Sequence, residues 1–133
     1  MMFGQRLIKK EDALNYFNQA KEILEDLGDV EGIALIHSNI AGIYESTLQY
    51  EAALQMLKKA EELFHGLGNT FWYINVLNGI GWIHYLLQDY EKAIMYCNQV
   101  EELYSILNDQ KGLAKVQRRI QVLKRKRASQ SKL

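Results

Sequence analysis

The stretch Glu51–Asn69, EAALQMLKKAEELFHGLGN, decides the fold, because the chain contains it three times. Forty residues earlier stands Glu11–Asp29, EDALNYFNQAKEILEDLGD, and forty later Glu91–Asp109, EKAIMYCNQVEELYSILND. Laid together without gaps, the first pair agree at 7 of 19 positions and the second pair at 6 of 19, so the register is set. Glu11/Glu51/Glu91, Ala13/Ala53/Ala93, Glu22/Glu62/Glu102 and Leu27/Leu67/Leu107 are identical in all three copies. A fixed period in this range marks a stacked-repeat architecture, in which one supersecondary unit recurs and buries its apolar face against its neighbours.

Working outward, Ala13, Phe17, Ala20, Leu24 and Leu27 recur at spacings of three and four, the period of one helix face. Gly28 then stops the helix at its C′ position, and Asp29 is a good N-cap for the next. The same punctuation returns as Gly68–Asn69 and, with a second residue type that tolerates the left-handed conformation, as Asn108–Asp109. The spacing predicts helices over Glu11–Leu27, Val30–Ser46, Tyr50–Leu67, Thr70–Leu87, Tyr90–Leu107 and Gln110 to about Arg127. Turns of two to four residues make neighbours antiparallel. The expected fold class is all-α: a right-handed superhelical solenoid of antiparallel helix hairpins. One repeat domain covers 1–127, with repeats at 30–69 and 70–109 and half-repeats at 10–29 and 110–127. Residues 1–9 fall on the end of a first helix whose beginning is missing, as in a fragment or a degenerate cap. The tail 128–133 lacks apolar periodicity and is expected to be disordered.

Composition agrees. There is no proline in 133 residues, which favours long uninterrupted helices, and the 48% hydrophobic content suits a folded soluble chain. The single cysteine, Cys97, excludes an internal disulfide and points to a cytoplasmic address, with the nucleus left open. On a repeat helix it is expected to be a small buried hydrophobe. No stretch approaches the ~20 apolar residues of a membrane span, so no membrane partner is expected. The formal net charge of zero hides a segregation: residues 1–109 carry 16 acids and 7 bases, whereas 110–133 carry 9 bases and no acid. Gly42, Gly79 and Gly81 lie inside helices, where each costs about 1 kcal/mol relative to Ala; close approach of a neighbouring backbone is the expected reason.

Small residues within helices, a helical hairpin as the unit and apolar anchors at fixed offsets resemble the tetratricopeptide repeat. Its small and large positions fall on Ala53, Leu57 and Ala60, on Ile40, Ala41 and Tyr44, and again on Leu77, Ile80, Gly81 and His84 followed by Tyr90, Ala93, Cys97 and Val100. Two departures are the forty-residue period, where the common form has about 34, and the missing helix-ending proline. Both are similar to the long-repeat branch found in kinesin light chain and in peptide-sensing regulators of Gram-positive bacteria. The resemblance implies a concave face lined by the first helix of each hairpin, hence Asn39 in one unit and Asn75, Asn78, Trp82 and Tyr85 in the next. Arg118 and Arg119 would follow from the last helix. Asparagines that pair with a peptide backbone, an aromatic patch and terminal cations make a groove for a protein or peptide segment, acidic in part.

No catalytic constellation is present: no phosphate-binding glycine loop, no HExxH and no CxxC. The expected function is therefore a non-enzymatic protein–protein interaction module without cofactor or metal. His37 and His84 occupy core-type columns, and Glu61–Glu62 reads as a solvated face. Two alternatives stay open: nucleic-acid or acidic-surface binding through RRIQVLKRKR, and a self-associating structural module. The absence of a stacking aromatic among those bases counts against nucleic acid. With roughly two and a half repeats the stack is marginal, so the chain is expected either to form a homo-oligomer through a terminal helix or to belong to a longer array.

Overall fold

The computed structural model describes residues 2–131, with side chains described over 9–131. Six helices follow one another: α1 (Met2–Leu27), α2 (Val30–Ser46), α3 (Tyr50–Leu67), α4 (Thr70–Leu86), α5 (Tyr90–Ile106) and α6 (Gln110–Ser131). They divide into two compact units, the first ending at Asn69 and the second beginning at Thr70. In the first unit α2 packs against both α1 and α3; in the second α5 packs against both α4 and α6.

The two ends depart from expectation. Residues 2–9 do not end a separate helix but open α1, which runs 26 residues without a break; no proline interrupts it and no turn signal precedes Gly28. The expected disordered tail is likewise helical over 128–131, because α6 continues to Ser131. Tertiary contacts hold these last turns: Arg127 Nη1 donates to Glu91 Oε1 at 3.1 Å, and Gln130 Nε2 to the Gln88 carbonyl at 3.2 Å. Residues 132 and 133 lie outside the described residues.

All five turns share one hydrogen-bond scheme. At the first, the Gly28 N–H donates to the Glu25 carbonyl and the Asp29 N–H to the Leu24 carbonyl; the pattern repeats at Leu48–Gln49, Gly68–Asn69, Gln88–Asp89 and Asn108–Asp109. This is the Schellman closure, and it requires a left-handed residue at C′. Gly28, Gly68 and Asn108 supply it with φ of 70°, 68° and 56°, but so do Leu48 at 63° and Gln88 at 62°. The backbone therefore repeats every twenty residues although the sequence repeats every forty. Asp29, Asp89 and Asp109 then cap the following helices by accepting from the backbone N–H three residues on, at 2.9, 3.2 and 3.0 Å.

A branched, exposed Leu48 in that conformation costs about 1–2 kcal/mol, and only part of this is offset by the extra unfolded-state freedom of glycine. Leu48→Gly should stabilise the first unit by about 0.5–1 kcal/mol, read as a higher urea midpoint at unchanged slope. An equal or lower midpoint would show that the Leu48 side chain contributes more than its backbone costs.

The second unit's core gathers Ile74 and Leu77 from α4, Ala93, Ile94, Cys97 and Val100 from α5, and Val116, Ile120 and Leu123 from α6. Of the helix-interior glycines, Gly81 fits the close-approach expectation: a Cβ there would lie 3.4 Å from Tyr96 Cβ and 3.7 Å from the Ala93 carbonyl oxygen. Gly42 does not, since nothing lies within 4 Å of its Cβ position. The tightest case is Gly112, where an added Cβ would meet the Tyr104 ring at 2.6–2.8 Å.

Candidate functional site

Periodicity along α4 places Asn78, Trp82 and Tyr85 on one face, three or four residues apart. In the second unit that face forms a wall of a cavity of about 620 Å³. Leu77 and Gly81 border it on the same helix, Cys97 contributes from α5, and Arg118, Arg119, Val122 and Leu123 close it from α6. The volume is within the range of pockets that bury a sizeable side chain or small ligand.

The aromatic side chains contact one another. Trp82 and Tyr85 stack with ring centroids 5.2 Å apart and planes 24° from parallel, and Tyr90 lies 6.0 Å beyond Tyr85. Lys126 Nζ sits 5.6 Å from the centroid of the Tyr85 ring, within cation–π range. Trp82 nonetheless keeps 49% of its surface exposed, an unusual cost for the largest apolar side chain.

The two arginines differ. Arg119 Nη1 donates to Asn78 Oδ1 at 3.1 Å, tying α6 to α4, and its guanidinium also reaches Cys97. Burial pushes the Cys97 thiol above its ordinary range and the Arg119 charge and hydrogen bond pull the other way, so the thiol is held in its neutral form. Arg118, exposed as Arg119 also is, borders the cavity and in addition a shallower depression lined by Glu101, Ala114, Gln117 and Gln121.

The structure thus brings together Asn78, Trp82, Tyr85, Arg118 and Arg119 but not all the residues singled out in the sequence. Asn75 is exposed on α4 and does not line the cavity. Asn39 is exposed on α2, in the first unit. Sequence reasoning missed Cys97 as a lining residue, Lys126 as a cation over Tyr85, and the capture of Arg119 by Asn78. The first had a signal, since Cys97 stands in a core-type column of the repeat; the other two depend on side-chain reach and have none.

Two of the three histidines are buried. His84 is 6% exposed and stacks on Tyr96 at 5.7 Å, with planes 16° apart. His37 is 8% exposed, and its Nδ1 is buried without a hydrogen-bond partner. Burial first, then the charges of Lys59 and Lys21, lower its pKa against the opposing pull of Glu25. Glu61, beside the exposed Glu62, is pushed upward mainly by burial. Among the described residues no helix is long and apolar enough to cross a membrane.

Comparison with known proteins follows the same lines. No curated protein matches the chain. The crystal structure of BtubC (BKLC) from P. vanneervenii has a similar fold, with a TM-score of 0.62 and 18% identity over 92% of this chain. The match covers 58% of that protein, so this chain spans a little over half its length. A tetratricopeptide repeat family model matches residues 32–106, which is more than half of the sequence. The helical hairpins, the small-residue columns and that match agree: the chain belongs to the tetratricopeptide repeat family.

Proposed function

We propose that this chain is a non-enzymatic protein-interaction module whose second unit receives an extended, partly acidic peptide segment between α4 and α6. Tetratricopeptide repeats generally mediate protein–protein interaction, and the observation that supports a specific site here is the 620 Å³ cavity with a stacked, half-exposed Trp82–Tyr85 pair on one wall. An apolar ligand side chain would sit against these rings, and the remaining amide donors of Asn78 would meet its backbone. Arg118 and Arg119 would face its carboxylates, where a guanidinium can pair bidentately and an ammonium cannot. The lone buried thiol supports a reducing, cytoplasmic setting.

Solvent-exposed ion pairs contribute about 0–1 kcal/mol each, so the aromatic anchor should carry most of the affinity. For a peptide selected from a random library on the native chain, Trp82→Ala should abolish binding. Arg118→Glu should weaken it and flatten its salt dependence. Arg119→Glu should do more than remove a charge, because it also releases Asn78. A selected peptide bound equally well by the native chain and by Trp82→Ala would rule this site out. Binding lost only when the bases of α6 are replaced would favour the acidic-surface alternative.

A further inference from the structure

We infer that the peptide groove continues from the cavity along α4 to a second anchoring point at Phe71, flanked by Lys111 and Lys115 of α6. Its ligand would then be an extended segment with two apolar side chains about six residues apart and acidic residues between them. This rests on the peptide reading of the cavity and adds the ligand's register. The observation behind it is Phe71, which is 72% exposed although it lies in mid-chain, far from either terminus. Nothing in the repeat calls for an aromatic ring there: forty residues earlier the same column holds Glu31, and forty later Lys111. The Phe71 ring meets that of Trp72 edge-on, with centroids 5.5 Å apart and planes at 85°.

Phe71, Asn75, Asn78, Trp82 and Tyr85 are spaced 4, 3, 4 and 3 apart, so they form one stripe along α4. The last three line the cavity. Asn75 and Phe71 carry the same stripe past its end, and both are exposed. On α6, Lys111, Lys115, Arg118 and Val122 make a matching stripe, spaced 4, 3 and 4 apart. Arg118 and Val122 line the cavity, and both lysines are exposed. Two contacts fix how the stripes face each other: Arg119 reaches Asn78 and Lys126 reaches Tyr85, each forty-one positions back. α4 and α6 both pack on α5 and, being joined through short turns, run in the same direction. That offset puts Lys111 and Lys115 about level with Phe71 and Asn75.

Charge names the occupant. Neither α4 nor α6 contains an aspartate or glutamate, whereas α6 carries eight lysines and arginines. No carboxylate on either wall offsets those cations, so a segment with acidic residues complements the groove where a basic or purely apolar one does not. Register follows from helix rise. From Phe71 to the middle of the Trp82–Tyr85 pair is about 12.5 residues of helix, or roughly 19 Å. An extended chain covers that distance in about six residues at ~3.3 Å each, and an even separation places both anchoring side chains on the same face of it. Asn75 and the Nδ2 group of Asn78 stand between the two anchors, where they can hydrogen-bond the backbone of the ligand.

The probe is a set of peptides of about sixteen residues, long enough for an extended or a helical match, selected from a random library on the native full chain. Enriched peptides should carry two apolar positions about six apart with acidic residues between them. Phe71→Ala should weaken their binding about tenfold, whereas Trp82→Ala abolishes it. Replacing by alanine the peptide's own apolar residue that meets Phe71 should cost as much on the native chain and nothing further on Phe71→Ala, because the two changes remove one contact. That arm reads the contact on unaltered protein. Lys111→Glu combined with Lys115→Glu should weaken binding by about three- to tenfold at low salt and by less as salt is raised. Peptides that need Trp82 but bind Phe71→Ala as well as the native chain would overturn the second anchor and leave the cavity reading standing. Indifference to Trp82→Ala, or no enrichment at all, would overturn both. Apolar positions about twelve apart would mean a helical ligand and overturn the extended register.

Discussion

Phe64→Ala should destabilise the first unit by about 3–5 kcal/mol, the range for truncating a fully buried phenylalanine. Phe64 has no exposed surface and is the largest of the fully buried side chains. The loss combines the transfer free energy of the ring with the cavity left behind, which alanine cannot fill and helical neighbours close only in part. For a chain of this size that corresponds to a fall in melting temperature of roughly 10–15 °C. Leu27→Ala is the contrast, since that side chain is 73% exposed despite its identical column in every repeat; it should change stability by less than about 0.5 kcal/mol. Thermal melts followed by circular dichroism decide the matter. Equal effects at the two positions would mean that the interior around Phe64 is misassigned.

Leu77→Ala should cost about 2–4 kcal/mol in the second unit, which is less than Phe64→Ala for a specific reason. Leu77 is fully buried and belongs to the second unit's core. It also borders the 620 Å³ cavity. Truncation there enlarges a space already continuous with a cavity, so water can enter and the penalty for an empty void is reduced. The same change removes the floor beneath the Trp82–Tyr85 wall and should weaken a peptide selected on the native chain. Urea melts give the first quantity and peptide titration the second. A loss of stability without any loss of peptide affinity would detach Leu77 from the binding surface.

These two residues also mark the boundary of what a linear reading can deliver. The ends of α2 and α3, and the starts of α4, α5 and α6, were legible residue by residue, because caps and turns are set by groups only a few positions apart. Asp29, Gly68 and Asn108 act as their chemistry dictates. Legible too were the small-residue columns Ala53/Ala93 and Ala60, which are buried to 1% exposure or less. The local signal failed where backbone geometry overrode side-chain preference: Leu48 and Gln88 adopt left-handed turns because the Schellman closure needs that conformation whatever residue stands there.

Burial within a column was not legible, since it depends on what packs on each side of a helix. Leu24, Phe64 and Tyr104 occupy one column, yet Leu24 and Tyr104 are half-buried and Phe64 is fully buried. The aromatic wall of Trp82 and Tyr85 could be placed on one face from its spacing alone. Only the tertiary structure decided that Arg119 donates a hydrogen bond to Asn78 while Arg118 does not, both side chains staying exposed, and that α6 keeps its helix past Arg127 by pairing with Glu91 and Gln88. Those contacts join residues about forty positions apart, and a periodic pattern specifies which face a residue is on but not which partner its side chain reaches.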